Sequence, residues 1–354
     1  MFDCATDVVA YHNDEVTLKQ SDRTNMRDRR DVNRTRIKNG LKAQSKPAPK
    51  RFVSQGSYAM LTMVQQPGND YDIDDGCYFA ADDLVTSTGA AMSPLDVRKM
   101  VRDAVDDGSF KKKPEVRKNC VRVYYDAGYH VDIACYRVTV LTDATGSDIK
   151  IYELAGPSWR QSDARAVTEW FDEENQSQSP DEDNGRQLRR VTRNLKKFAR
   201  SRESWCDSTA SGVTISKLVT ECYQPDAERD DVALHDTMKA IHDRLLSDLE
   251  VNHPVNVGDK LTKGKDDART KFLRSKLANA LADLDVLFEN TCTRTKALAA
   301  WDKVYNTTFF SDRDDAKTAK SASASITTAS MLKRDTADEA LRAPVQKHGG
   351  QRYA

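Results

Sequence analysis

Tyr71-Asp72-Ile73-Asp74 places two carboxylates two residues apart inside a run that reads as a strand. Side chains alternate along a strand, so Asp72 and Asp74 share one face while Ile73 points to the core. Carboxylates about 7 Å apart on one face repel each other and need a cation. Mg2+ suits them, because it takes oxygen ligands and is held by one or two carboxylates together with substrate phosphates. Asp-x-Asp alone is more often a solvated face in an acid-rich chain, but two neighbours set this one apart. Gly56-Ser57 lies upstream in a turn, where glycine lets the backbone approach phosphate oxygens and serine offers an N–H and a hydroxyl. Downstream, Tyr129-His130-Val131-Asp132-Ile133 alternates so that His130 and Asp132 share a face opposite Val131 and Ile133. Pairing of that strand beside the Asp72 strand would bring three carboxylates to one sheet end. A cluster of Asp72, Asp74 and Asp132 can hold two Mg2+ ions, with Mn2+ as a substitute, that activate an attacking hydroxyl and neutralise a leaving pyrophosphate. His130 reads as a structural partner for a carboxylate rather than a catalytic base.

Periodicity and breaker residues outline the elements around these groups. Residues 14–45 carry sparse apolar positions at helical steps (Val16, Leu18, Met26, Val32, Ile37, Leu41) and predict a long, mostly exposed helix, ended by Lys46-Pro47-Ala48-Pro49-Lys50. RFVSQGSYAM and DYDIDDGCYF read as short strands around a polar loop, QQPGND. Ser93 and Pro94 are the N-cap and first position of a helix. NCVRVYY and YHVDIACYRVTVLT read as a hairpin around Asp-Ala-Gly. Beyond about residue 155 the pattern turns helical, with Ser162 as the first cap and a basic helix over 185–202 whose apolar stripe is Leu188, Val191, Leu195 and Phe198. Further helices are expected near 229–249 and 266–306, and residues 311–354 are too poor in apolar side chains to offset ordering entropy. The fold class is therefore α+β, a mixed-sheet lobe followed by a helical C-terminal lobe. The divisions are 1–48 as an N-terminal helical spine, 49–155 as the catalytic lobe, 156–310 as the helical lobe and 311–354 as a flexible tail.

Composition excludes several functions. The 354 residues carry 55 basic and 55 acidic side chains, so the formal net charge is zero and bulk attraction to DNA or anionic membrane is not expected. No stretch approaches the roughly 18 consecutive apolar residues of a membrane helix. The acidic start lacks the basic n-region of a signal peptide. Seven scattered cysteines (Cys4, Cys77, Cys120, Cys135, Cys206, Cys222, Cys292) form no metal spacing and fit reduced thiols in a cytoplasmic protein.

Gly56-Ser57, Asp72-Ile73-Asp74 and Asp132, in that order, resemble the signature of the DNA polymerase β-like nucleotidyltransferases. QGSYAM, DYDIDDGCYF and YHVDIACYRV, with LRRVTRNLKKF and SGVTISKLVTECYQPDAERDD, are more similar to one branch, the bacterial cGAS/DncV-like nucleotidyltransferases (CD-NTases), over about residues 50–300. The resemblance implies a nucleotidyltransferase fold with the active site in the cleft between the lobes, and Asp72, Asp74 and Asp132 as ligands of the catalytic Mg2+ ions. It implies Ser57 on the donor triphosphate and Gln55 lining the nucleotide pocket beside Gly56. Lys196 is the triphosphate lysine, with Lys197 in reserve, and Ser211 is a further contact. Two features depart from the broader pattern: a 14-residue spacer between Ser57 and Asp72, and Asp75 where an apolar residue is usual.

The activity implied is a cyclic oligonucleotide synthase that takes NTPs, ATP and GTP foremost, to a purine-containing cyclic di- or trinucleotide of the cGAMP kind. That product would serve as a second messenger in CBASS antiphage defence. The alternatives are a non-cyclising nucleotidyltransferase acting on RNA or protein, and an inactive nucleotide-sensing scaffold. A nucleic-acid activator is not expected: the basic run Arg186–Arg202 reads as a helix with one phosphate-facing residue and a solvated remainder. Glu228, Asp230 and Asp231 suit the positive end of a helix, with a base or ribose contact as the alternative. The terminal GGQRYA fits either a plain disordered end or, as the resemblance implies, covalent or regulatory attachment to a partner through the C-terminal carboxylate.

Overall fold

Apolar alternation in two neighbouring strands organises the sheet-bearing half. The computed structural model describes residues 1–66, 71–126 and 128–314. The chain begins with α1 (Ala5–Tyr11), a π-helical segment (His12–Val16) and α2 (Gln20–Ala43). Next come β1 (Arg51–Gln55), the single turn α3 (Gly56–Ala59), β2 (Asp72–Ala80) and α4 (Pro94–Val105). Five strands follow: β3 (Glu115–Val116), β4 (Val121–Tyr124), β5 (His130–Thr142), β6 (Asp148–Ala155) and β7 (Trp159–Gln161). The remainder is helical: α5 (Ala164–Gln178), α6 (Gln187–Ala199), α7 (Gly212–Cys222), α8 (Asp230–Ser247), α9 (Ala268–Leu284) and α10 (Arg294–Tyr305).

The sheet runs β1-β2-β5-β4-β3, and β6 joins the far half of β5 with β7 beyond it. Strands β2 and β5 are parallel; the other described pairings are antiparallel. A parallel pair needs a crossover, and the segment between β2 and β5 contains α4. Its N-cap is Ser93, whose Oγ accepts from the Asp96 N–H, with Pro94 at the first position, as the sequence predicts. One sheet face buries Ile73, Cys77, Phe79, Val131, Ile133 and Cys135 against α2 and α4. The other carries Asp72, Asp74, Tyr78, Asp132 and Tyr136, with Tyr78 stacked on Tyr136 at 4.6 Å.

A second core joins α5–α10 to the N-terminus, through Cys4, Val8, Tyr11 and Val16. The predicted helix over 14–45 therefore starts late. Val16 serves the helical core, whereas Met26, Ile37 and Leu41 of α2 pack beneath the sheet. Three further expectations change. Ser57-Tyr58-Ala59 forms a helical turn rather than strand, because Gly56 turns the chain at φ +62°. Strands β6 and β7 extend a hairpin whose outer residues Leu141 and Ile149 are exposed, so burial there is weak. Asp163, not Ser162, caps α5, accepting from the Arg165 N–H, while the Ser162 N–H joins the Tyr152 carbonyl.

Residues 1–310 form one compact unit, and of the second, 311–354, only 311–314 are described. The tail and its GGQRYA end lie outside the described residues. No helix among the described residues is long and apolar enough to cross a membrane.

Candidate active site

Parallel register brings the three aspartates together: Asp72 pairs with His130 and Asp74 with Asp132. Paired positions on neighbouring strands share a face, so Asp72, Asp74 and Asp132 each present a carboxylate oxygen, all within 4.8 Å of one another. Asp74 has no hydrogen-bonding or ion-pair partner among the described residues. Burial, then the charges of Asp72 and Asp132, push its carboxyl up to about 7. Asp72 Oδ1 is buried without an aligned donor, 3.4 Å from His130 Nε2. The neighbouring Asp72 carboxylate raises the His130 pKa against the opposing effect of burial, consistent with a structural partner. Unmet negative charge of this kind fits one or more divalent cations.

Gly56 is fixed by the same cluster. A Cβ there would stand 2.1 Å from Asp74 Oδ2, and its φ of +62° disfavours any side chain. The glycine therefore admits the Asp74 carboxylate to the turn.

A cavity of about 330 Å3 opens beside Asp72 and Asp74, rimmed by Gly56, Ser57, Thr62, Lys196, Arg200, Ser211 and Gly212. Lys196 is buried, with Nζ donating to Thr62 Oγ1 at 2.7 Å. Burial, then Arg200 and Arg193, hold its ammonium down to about 7. Gly212 lies against it, a Cβ built there standing in ordinary contact with Lys196 Cε at 3.5 Å. Ser211 is the N-cap of α7, its Oγ accepting from the Thr214 N–H. Of the two candidate lysines, Lys196 lines the cavity. Lys197 is not among the cavity-lining residues and donates to the Gln65 carbonyl at 3.0 Å.

Gln55 needs correction too. It lies on the triad face, opposite Asp74 in register, but is buried below the cavity. Its Nε2 donates to Tyr78 Oη at 2.7 Å and its Oε1 accepts from Tyr136 Oη at 3.2 Å. It supports the site instead of lining it. Asp75, one residue after Asp74, turns to the opposite face and is forked by Arg34 of α2 at 2.8 and 2.5 Å. The acidic residue that departs from the broader pattern is thus a structural ion pair.

The basic helix α6 is not largely solvated. Arg190 is buried and paired with Asp230 and Asp181, both at 2.6 Å. Arg193 is buried and donates to the Leu61 carbonyl. With Lys196 and Lys197 it laces α6 to residues 61–65, the loop between the Gly-Ser turn and β2. Asp230 and Asp231 are spent on Arg190 and Arg229, so neither is left for a base or ribose.

Two basic residues escaped the sequence reading. Arg200 stands exposed on the cavity rim and forms no ion pair among the described residues. Arg122 pairs in register with Asp132 across β4 and β5. Its Nε and Nη2 each stand 2.7 Å from an Asp132 oxygen, and Nη2 is 3.7 Å from Asp72 Oδ2. The available signal was a lone cation in the otherwise apolar alternation of Val121-Arg122-Val123.

Known proteins resemble this chain in sequence over one segment and in fold over most of its length. Residues 50–136 match the family model of the cyclic GMP-AMP synthase DncV-like nucleotidyltransferase domain. This segment is similar to DncV-like nucleotidyltransferase domains. The match spans β1 to the middle of β5 and so contains Ser57 and all three aspartates. The fold likeness extends further. A crystal structure of Vibrio cholerae DncV cyclic AMP-GMP synthase aligns with a TM-score of 0.63 at 18% identity, covering 86% of this chain and 96% of that one. The same protein with the linear intermediate 5′ pppA(3′,5′)pG aligns at 0.60 and 19% identity, covering 82% and 91%. Escherichia coli DncV bound to 3′-deoxy GTP aligns at 0.60 and 16% identity, covering 82% and 92%. At these identities the likeness is one of fold.

Proposed function

We propose that this protein is a metal-dependent nucleotidyltransferase that joins and cyclises NTPs, ATP and GTP foremost, into a purine-containing cyclic di- or trinucleotide. The carrying observation is the convergence of Asp72, Asp74 and Asp132 beside a cavity rimmed by Ser57, Lys196 and Ser211. The related Vibrio cholerae enzyme has been crystallised with ATP and GTP and with a linear dinucleotide intermediate, which supports the same substrate class here. In this reading residues 49–155 act as the catalytic lobe and 156–310 as the helical lobe, with 1–48 as the spine. The product would be a second messenger of CBASS-type antiphage defence.

Two divalent ions at the triad would supply charge neutralisation and activation of the attacking ribose hydroxyl. Asp72, Asp74 and Asp132 would hold them, Asp74 and Asp132 from adjacent strands. The hydroxyls of Ser57 and Ser211 donate to phosphate oxygens. Lys196 exchanges Thr62 for the triphosphate, and Arg200 adds a second positive charge on the departing side. The fold gathers these groups around one cavity, so positioning and electrostatics provide most of the rate.

The test is incubation of the purified chain with labelled NTPs, singly and in pairs, with Mg2+ or Mn2+. A product resistant to both phosphatase and exonuclease is expected, and D72A/D74A should lose it while keeping its fold. If the double variant consumed NTP at the wild-type rate, the site assignment would be wrong. One observation favours a second reading, a silent nucleotide-sensing scaffold: Arg122 engages both oxygens of Asp132. Nucleotide binding without turnover under every metal and NTP combination would select it.

A further inference from the structure

The cation on Asp132 in this structure is Arg122. The fork is planar and bidentate, the strongest geometry a carboxylate can be offered, and it follows from cross-strand register rather than from a chance rotamer. Nη2 also leans toward Asp72, 3.7 Å from Oδ2, so one guanidinium spans two of the three carboxylates. A metal ion taking Asp132 and Asp72 as ligands would meet that positive charge at contact distance. The same two oxygens of Asp132 cannot hold the fork and chelate an ion on the same edge.

We propose that Arg122 is an internal cation that competes with the catalytic metal for Asp132, and thereby makes metal loading depend on nucleotide. The proposal rests on the metal-site reading above. A bare divalent ion must evict the guanidinium with no new anion to receive it. A metal–triphosphate complex brings phosphate oxygens that complete the metal's coordination and give the released guanidinium an anion in exchange. Arg122 is about a quarter exposed, so its head group has solvent-side room to leave. The coupling is reciprocal: whatever nucleotide does for metal affinity, metal does for nucleotide affinity.

The probe is Mn2+ alone, titrated into the full-length chain and followed by the electron paramagnetic resonance signal of free Mn2+. Wild type should bind weakly, and much more tightly once a non-hydrolysable ATP analogue is added. R122Q should bind Mn2+ alone at least about tenfold more tightly than wild type, equivalent to about 1.4 kcal/mol, with a smaller further gain from the analogue. R122M, which keeps the aliphatic stem on β4, serves if R122Q melts early by circular dichroism. Equal or weaker Mn2+ binding in the folded arginine variant would overturn the proposal. D74N, alone and with R122Q, separates the two levels. If it abolishes Mn2+ binding while R122Q changes nothing, only the competition fails; if it leaves Mn2+ binding intact in both backgrounds, the ion is not at the triad and the functional reading fails with it.

Discussion

Asp74 and Asp75 are adjacent in the chain and meet opposite surroundings. Asp75 points under the sheet, where Arg34 supplies a bidentate guanidinium. Asp74 points to the cavity and meets two more carboxylates, with no basic partner of its own. Helix α6 repeats the contrast with the sign reversed, since buried Arg190 has Asp230 and Asp181 while buried Lys196 has only the Thr62 hydroxyl. A buried charge with a built-in counter-ion belongs to the architecture. A buried charge left without one is held for something that arrives from outside.

The sharpest way to break this comparison is to neutralise the two aspartates separately. Asp74→Asn should lower NTP turnover by at least about a thousandfold, about 4 kcal/mol in transition-state stabilisation, with the melting temperature unchanged or raised because like-charge repulsion is relieved. Asp75→Asn should do the reverse, costing about 2 kcal/mol of stability by leaving Arg34 half-paired, with turnover per folded molecule retained. Pyrophosphate release and thermal melts read both, and matching profiles would erase the distinction.

The α6 pair gives the next effect. Lys196→Met should raise KM for NTP about tenfold to a hundredfold without loss of stability, since a buried ammonium with no carboxylate is replaced by an apolar chain of similar length. Arg190→Met should cost about 3 kcal/mol by stranding Asp230 and Asp181. A denaturant titration beside steady-state kinetics distinguishes them.

The smallest effect is a pH dependence in the N-terminal segment. His12 is fully buried beside Arg193, and burial, then that charge, lower its pKa from 6.5 to about 4. Because the unfolded chain takes up the proton first, the stabilising contribution is complete above pH 6.5 and is lost as pH falls toward 4. Between pH 6.5 and 5 this amounts to about 2 kcal/mol. His12→Gln should flatten that part of the stability profile, and an unchanged slope would mean that the imidazole protonates in place.

The triad was legible because strand alternation and a parallel pairing need only residue order, which Asp72-Ile73-Asp74 and His130-Val131-Asp132 display directly. The helix starting at Pro94 was legible for the same local reason. Gln55 and the reserve candidate Lys197 lie off the cavity because their side chains are claimed by distant groups, the tyrosines of β2 and β5 and the carbonyl of Gln65. Arg122 went unseen because register across a hairpin decides its partner. The basic run of α6 looked solvated because its carboxylates, Asp181 and Asp230, come from separate segments of the chain.

Asp74 and Asp132 stand roughly sixty residues apart, and the strand that carries the second returns beside the first only after a crossover. On the ribosome, a growing polypeptide would have emerged well past α4 before these two side chains could meet. The triad is thus a non-local contact, and a chain that ends before β5 holds Asp72 and Asp74 without the carboxylate that completes the cluster.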